Sequence, residues 1–167
     1  MIRLAVWRWT LDFALTHPFG GSFNSFLVNH IELTDGTIQF GRAFHSSHFE
    51  VLGELGWPGL AMYHGCMLLV ILKMRTVERV TKAIPNMLWC SDLANAIQSA
   101  IMVFLTAGAF VGIAFVPMVW YIIAMSVSLS EYVRRVEALK NAKRPYFRSM
   151  ATGLPAAAAI PADWRKR

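Results

Sequence analysis

Three apolar runs constrain this chain more than any other feature. Residues 57–72, 93–113 and 115–130 contain no Asp, Glu, Lys or Arg. A helix needs roughly 20 apolar residues to cross a hydrocarbon layer about 30 Å thick, and each run approaches that length, the first and third being short. The expected fold is therefore an all-α integral membrane protein with about three transmembrane helices. An extracytoplasmic segment of short amphipathic helices, residues 1–56, should precede them.

Charge orients the runs. Residues 1–56 carry three basic and five acidic side chains, a net −2, whereas 57–167 carry thirteen basic and five acidic, a net +8. Lys73, Arg75, Arg79 and Lys82 follow the first run, and Arg134, Arg135, Lys140, Lys143, Arg144 and Arg148 follow the third. Two basic segments separated by two spans lie on one side, and the positive-inside rule makes that side cytoplasmic. The expected organisation is an outer segment 1–56, spans at 57–72, 93–113 and 115–130 with a cytoplasmic loop 73–92, and a disordered basic, Ala/Pro-rich tail 134–167. Basic residues in this pattern anchor topology, so no nucleic-acid partner is expected. An outward N-terminus with no earlier span needs an export route. The stretch is thus expected to be a fragment of a larger polytopic bundle, associating with upstream helices.

Within 1–56, Leu4, Trp7, Leu11 and Ala14 or Leu15 recur at helical spacing, with Arg8 and Asp12 an i,i+4 pair on another face. That helix should end before His17-Pro18, because the residue preceding proline avoids the α region. A glycine turn, Gly20-Gly21, and a hairpin about Asp35-Gly36 are expected next. Ser47 followed by Glu50 has the form of a capping box, predicting a helix from His48. His48, Val51, Leu52 and Leu55 should face inward, Ser46, Ser47, Glu50 and Glu54 outward, and Gly56 with Pro58 should stop the helix. His45 would then stand beside a helix N-terminus, where free N–H groups favour an anion.

Several functional readings fail on spacing. His45-Ser-Ser-His48 lacks the zinc-protease arrangement of two His i,i+4 around a Glu, so no metal is expected. Ser46 and Ser47 sit in no Gly-x-Ser-x-Gly elbow. Gly20-Gly21 is not followed by the lysine of a phosphate loop. His48 has the position of a packed histidine, and His17, His30 and His64 those of loop or packing residues. Cys66 and Cys90 suggest no disulfide framework. Asn95, Gln98 and Ser99 need partners within protein, but no charge lines the spans as a transporter would require. Arg3, His45 and Glu54 remain. Arginine clamps phosphate oxygens bidentately, and histidine can take a proton from an attacking hydroxyl.

The segments R-L-A-V-W at 3–7, H-P-F-G-G-S-F at 17–23 and F-H-S-S-H-F-E-V-L-G-E-L-G-W-P-G-L at 44–60 resemble the C-terminal half of O-antigen ligases and O-antigen polymerases. They are most similar to the O-glycosylation ligases associated with exosortase A systems. The later D-L-A-N-A-I-Q-S-A and G-A-F-V-G also look like that group, and the resemblance covers about residues 1–133. It departs at His48, where the family usually has tyrosine, and at Ser22, where glycine is common.

The resemblance implies a metal-independent, inverting glycosyltransferase of the bacterial inner membrane, without a cofactor, in lipopolysaccharide, exopolysaccharide or O-glycan assembly. The donor would be a glycan on undecaprenyl diphosphate, and the acceptor lipid A core, protein or growing polymer at the periplasmic face. By motif position Arg3 would hold the diphosphate and His45 would activate the acceptor hydroxyl. Trp7, Pro18, Gly20, Glu54, Gly56 and Gly59 would be architectural. The alternative is a truncated, non-catalytic remnant or assembly subunit.

Overall fold

The computed structural model describes residues 2–32 and 36–152, with side chains as far as Asn141. Four helices dominate: α1 (Ile2–Thr16), α2 (Ser47–Lys82), α3 (Leu88–Gly108) and α4 (Pro117–Thr152). Between α1 and α2 lie a one-turn 3₁₀ helix, Ser25–Val28, and a small antiparallel hairpin of β1 (His30–Glu32) and β2 (Ile38–Phe40), with Ile31 opposite Gln39. The hairpin is thus present, while Asp35 of its expected turn lies outside the described residues.

Ser47–Lys82 and Pro85–Gly108 are long and apolar enough to cross a membrane. Among the described residues they are the two helices that are; α4 begins at Pro117 and meets Glu131, Arg134 and Arg135 after about four turns. Residues 73–92, expected as a loop, are mostly helical. α2 runs on to Lys82, and a single 3₁₀ turn, Pro85–Met87, leads into α3. The backbone of 134–152 is likewise helical rather than irregular, and 153–167 lie outside the described residues. Charge does not stop a helix. Basic and acidic side chains with straight stems are good helix formers, so the charged extensions continue the turns begun in the apolar runs.

The main core packs α2, α3 and α4 around Met67, Met74, Cys90, Ala94, Ile101 and Val119, all fully buried. Gln98 Nε2 donates to Glu78 Oε2 at 3.0 Å, giving one amide of α3 a partner on α2. The basic end of α2 and that of α4 share a cleft lined by Lys73, Val77, Val80, Ser130, Val133 and Arg134. Nearby, hydrogen bonds from Arg134 and Arg135 hold the Glu131 carboxyl at about 2. A smaller core under α1 joins Val6, Ile31 and Phe44, with Trp7, Trp9 and Phe49 against them.

α1 covers the expected length but turns a different face inward. Val6, Thr10 and Ala14 are buried, whereas Leu4 is 66% and Leu15 73% exposed. The small row lets α1 approach closely, and the Thr10 hydroxyl is satisfied by donating to Val6 O at 2.8 Å. The expected Arg8–Asp12 pair is absent; among the described residues both ion pairs are made by Glu131.

The centre of the fold is a break in α2. Gly56 has φ 66° and ψ −163°, so the helix is interrupted there and resumes at once. In an unbroken helix the Gly53 carbonyl would accept from Trp57 and the Glu54 carbonyl from residue 58, which is proline and has no N–H. Instead Trp57 N–H donates to Pro18 O at 3.0 Å, and the freed carbonyls accept from the turn after α1. Gly21 N–H bonds Gly53 O at 2.8 Å and Ser22 N–H bonds Glu54 O at 3.0 Å. Gly20 and Gly56 lie backbone against backbone. A Cβ on Gly20 would overlap the Glu54 carbonyl, and one on Gly56 would overlap Pro18 O. Ser22 itself has φ 68°, a left-handed conformation that glycine adopts more readily than serine.

Replacing Gly20 or Gly56 by Ala should destabilise the protein by more than about 3 kcal/mol, through backbone overlap added to the unfavourable φ. Gly41→Ala, at φ 65° but with nothing within 4 Å of the added methyl, should cost only about 1 kcal/mol. Thermal unfolding of the three variants in detergent checks the difference.

Candidate functional site

The residues around His45 are fixed on both sides. Upstream, Phe44 is buried, and its carbonyl accepts the Trp7 indole N–H at 2.9 Å. The Trp7 ring stacks on Phe49 with centroids 5.0 Å apart and planes at 8°. Downstream, Ser47 Oγ donates to Val111 O at 2.8 Å and accepts from Ile113 N–H at 2.9 Å. His45 is held between these anchors at φ 51°, with its side chain exposed. A non-glycine residue there costs on the order of 1–2 kcal/mol, which the flanking contacts must offset.

The capping box does not form. α2 starts at Ser47 behind Ser46, and no side chain caps its first turn. The Ser47 and Glu50 side chains bind the α3–α4 connection instead: Glu50 Oε2 accepts from Ala114 N–H at 3.3 Å. Gly108 permits this approach, since a Cβ there would lie 3.1 Å from Ser47 Oγ. The expected outward arc is consequently covered, with Ser46, Ser47 and Glu54 buried. Val51 and Leu52 are buried as expected, but Leu55 is exposed. The N–H of Ser47 is also spent, on Val111 O at 3.1 Å. An anion would therefore find fewer free donors at this helix start than its sequence suggests.

A cleft of about 360 Å³ opens beside His45, lined by Asn24, Phe26, Phe44, Glu50, Glu54 and Gly112 among others. Glu54 precedes the break at Gly56, outside the uncharged run that begins at Trp57. It is 6% exposed. Its Oε1 accepts from Asn24 N–H at 3.2 Å, while Oε2 is buried without a hydrogen-bond partner among the described residues. Burial pushes the Glu54 carboxyl up, the Glu50 carboxylate adds to this, and the Asn24 N–H opposes it.

His48 is half-buried on the far side of the same turn. Its Nε2 lies 3.2 Å from Leu105 O and its Nδ1 3.0 Å from His64 Nε2, tying the start of α2 to α3 and to the helix beyond the break. Burial, then the neighbouring His64 ring, push the His48 imidazole below the ordinary histidine range. Among the described residues no three His, Cys, Asp or Glu are grouped to hold a metal ion.

Several sequence candidates converge on this region. Trp7 supports Phe44, Pro18 and Gly20 enter the break, and Gly59 stands so close to Leu55 that a Cβ would overlap it. Arg3 is exposed on α1, one turn before Trp7, and does not line the cleft. Sequence reasoning missed Asn29, fully buried, whose amide donates to Arg42 O and accepts from Arg42 N–H at 2.9 Å, closing the base of the hairpin. It also missed Asn24 and the 111–114 connection. A lone asparagine carries no periodic signal, and nothing local links Val111 to Ser47.

Set beside protein-family models, curated proteins and solved structures, the chain matches none.

The Glu54 environment sets a sign for pH dependence. Above the ordinary value of 4.5 the unfolded chain ionises while the buried carboxyl stays protonated, so stability falls as pH rises towards the raised folded value. Below 4.5 both states are protonated and the full contribution is present. Glu54→Gln should remove this slope, making the variant gain stability relative to the wild type between acid and neutral pH. Paired thermal unfolding across that range measures it.

Proposed function

We propose that this chain is the C-terminal part of an O-antigen-ligase-like glycosyltransferase of the bacterial inner membrane. In this reading residues 1–56 face the periplasm, three spans follow and the C-terminus is cytoplasmic. The shared cleft between the basic ends of α2 and α4 supports placing both ends on one side. The donor is a glycan on undecaprenyl diphosphate, and the acceptor presents a hydroxyl at the outer membrane surface.

The observation that carries the reading is His45 itself: an exposed imidazole, held at a costly φ of 51°, at a cleft with a buried carboxyl. Such strain, maintained by flanking anchors, is characteristic of functional positions. His45 takes the proton of the acceptor hydroxyl as its oxygen attacks the anomeric carbon of the donor sugar. The bond from that carbon to the diphosphate breaks from the opposite face, inverting the centre. Arg3 neutralises the departing diphosphate, and preorganised positive charge of this kind supplies much of the rate. The link between the two residues is Trp7, one helical turn from Arg3 and hydrogen-bonded to the carbonyl preceding His45.

A second reading, a non-catalytic remnant or assembly subunit, is favoured by one observation: Arg3 does not line the cleft at His45. The two readings separate in cells. His45→Ala should lower glycan attachment by at least about 100-fold with normal membrane insertion, and Arg3→Ala should do likewise. Wild-type attachment in both variants would leave the second reading standing.

A further inference from the structure

We infer that His48 and His64 share a single proton as an imidazole–imidazolium pair, and that this pair is a proton-held joint between the two halves of α2 and the end of α3. The joint stands whether or not the chain transfers glycan, because neither ring takes part in that chemistry.

Counting protons leads there. His48 Nε2 lies 3.2 Å from Leu105 O and His64 Nδ1 lies 3.0 Å from Leu60 O, while the remaining two ring nitrogens face each other at 3.0 Å. The ring centroids are 4.9 Å apart, so these inner nitrogens point at one another and the faces do not stack. A carbonyl can only accept, so each outer nitrogen must carry a proton. Two neutral imidazoles have two protons, both then used on carbonyls, and the inner nitrogens would meet lone pair to lone pair. All three contacts become hydrogen bonds only when a third proton lies between the rings, which gives the pair one positive charge. A fourth would set two N–H groups against each other.

The surroundings favour that single charge. Leu105 O stands in the last turn of α3, where the helix dipole attracts a cation. Its regular donor in an unbroken helix, Ala109 N–H, turns to Thr106 O at 3.2 Å and leaves Leu105 O to the His48 ring. Both rings are half-buried, so the charge is only partly desolvated. Burial and then the neighbouring His64 ring push His48 below the ordinary histidine range, which opposes the fourth proton. Glu50 and Glu54, the nearest acids along α2, accept from Ala114 N–H and Asn24 N–H. α3 has no charged residue after Asp92 and α4 none before Glu131, while Arg3, Arg8 and Asp12 of α1 are exposed. Tyr63 meets His64 edge-on with centroids 5.3 Å apart, and Cys66 follows on the same helix, half-buried. Loss of the third proton sets one contact lone pair to lone pair, so the joint loosens as pH rises.

The test counts protons. The full chain, carrying isotopically labelled histidine in lipid nanodiscs, is observed by solid-state nitrogen NMR, with the two rings assigned through His48→Gln and His64→Met. At neutral pH three of their four ring nitrogens should be protonated, with a scalar coupling between His48 Nδ1 and His64 Nε2 across the shared proton. A count of two or of four, or no coupling, overturns the shared proton. The pH is then raised until the count falls to two, and amide exchange is followed as protection factors, which remove its ordinary pH dependence. Protection should fall several-fold across that step in at least one of the joined segments, 48–52 and 106–110, and His64→Met should show no such step. Unchanged protection in the wild type, or the same step in His64→Met, overturns the joint. Should His64→Met lose its helical circular-dichroism signal, the wild-type count, coupling and protection decide.

Discussion

Everything near His45 depends on the backbone interlock between Gly20 and Gly56. A helix cannot be interrupted among apolar neighbours without new partners for the carbonyls it frees, because each unpaired group costs about as much as a lost hydrogen bond. Here the partners are the N–H groups of Gly21 and Ser22, and the reciprocal bond runs from Trp57 to Pro18. No side chain takes part in these three bonds. The two segments must therefore approach more closely than any Cβ allows. The interlock also fixes the Glu54 carboxyl, since Asn24, just beyond the same turn, supplies the N–H for Oε1.

A second joint completes the cleft. Ser47 and Glu50 have the spacing to cap their own helix, but tertiary backbone groups at Val111, Ile113 and Ala114 take their oxygens. A capping box satisfies donors that would otherwise face water. Joining Ser47 to the α3–α4 connection satisfies polar groups on both partners and brings the end of α3 against the start of α2. The wall of the cleft opposite Glu54 exists because those side chains reach outward from the helix.

Helix positions were legible in the chain, and inward faces largely were not. The apolar runs marked α2 and α3, and His17-Pro18 marked the end of α1. The face of α1 could not be read from bulk: Leu4, Leu11 and Leu15 are exposed, and the narrow row of Val6, Thr10 and Ala14 makes the contact. In a water-soluble helix a large apolar side chain facing out is costly, so periodicity identifies the core. In α1 the row of small side chains lets the helix approach its neighbours closely, and that close packing rather than bulk chooses the face. In α2 likewise bulk does not choose the face: Met67 and Met74 are buried while Leu68 and Leu69 are exposed.

By itself the sequence determined that the chain is helical, where two of its apolar helices lie, and that a glycine and a proline would interrupt α2 near residue 56. Those are consequences of local propensity and of run length, which need no partner. Only the tertiary structure decided that the interruption is filled by the turn after α1, that Ser47 and Glu50 serve the α3–α4 connection, and that Glu54 is buried with one oxygen unpaired beside His45. Each of these depends on which backbone groups meet across tens of residues. Such meetings follow from the total satisfaction of polar groups in a packed chain, a condition no short window of sequence contains.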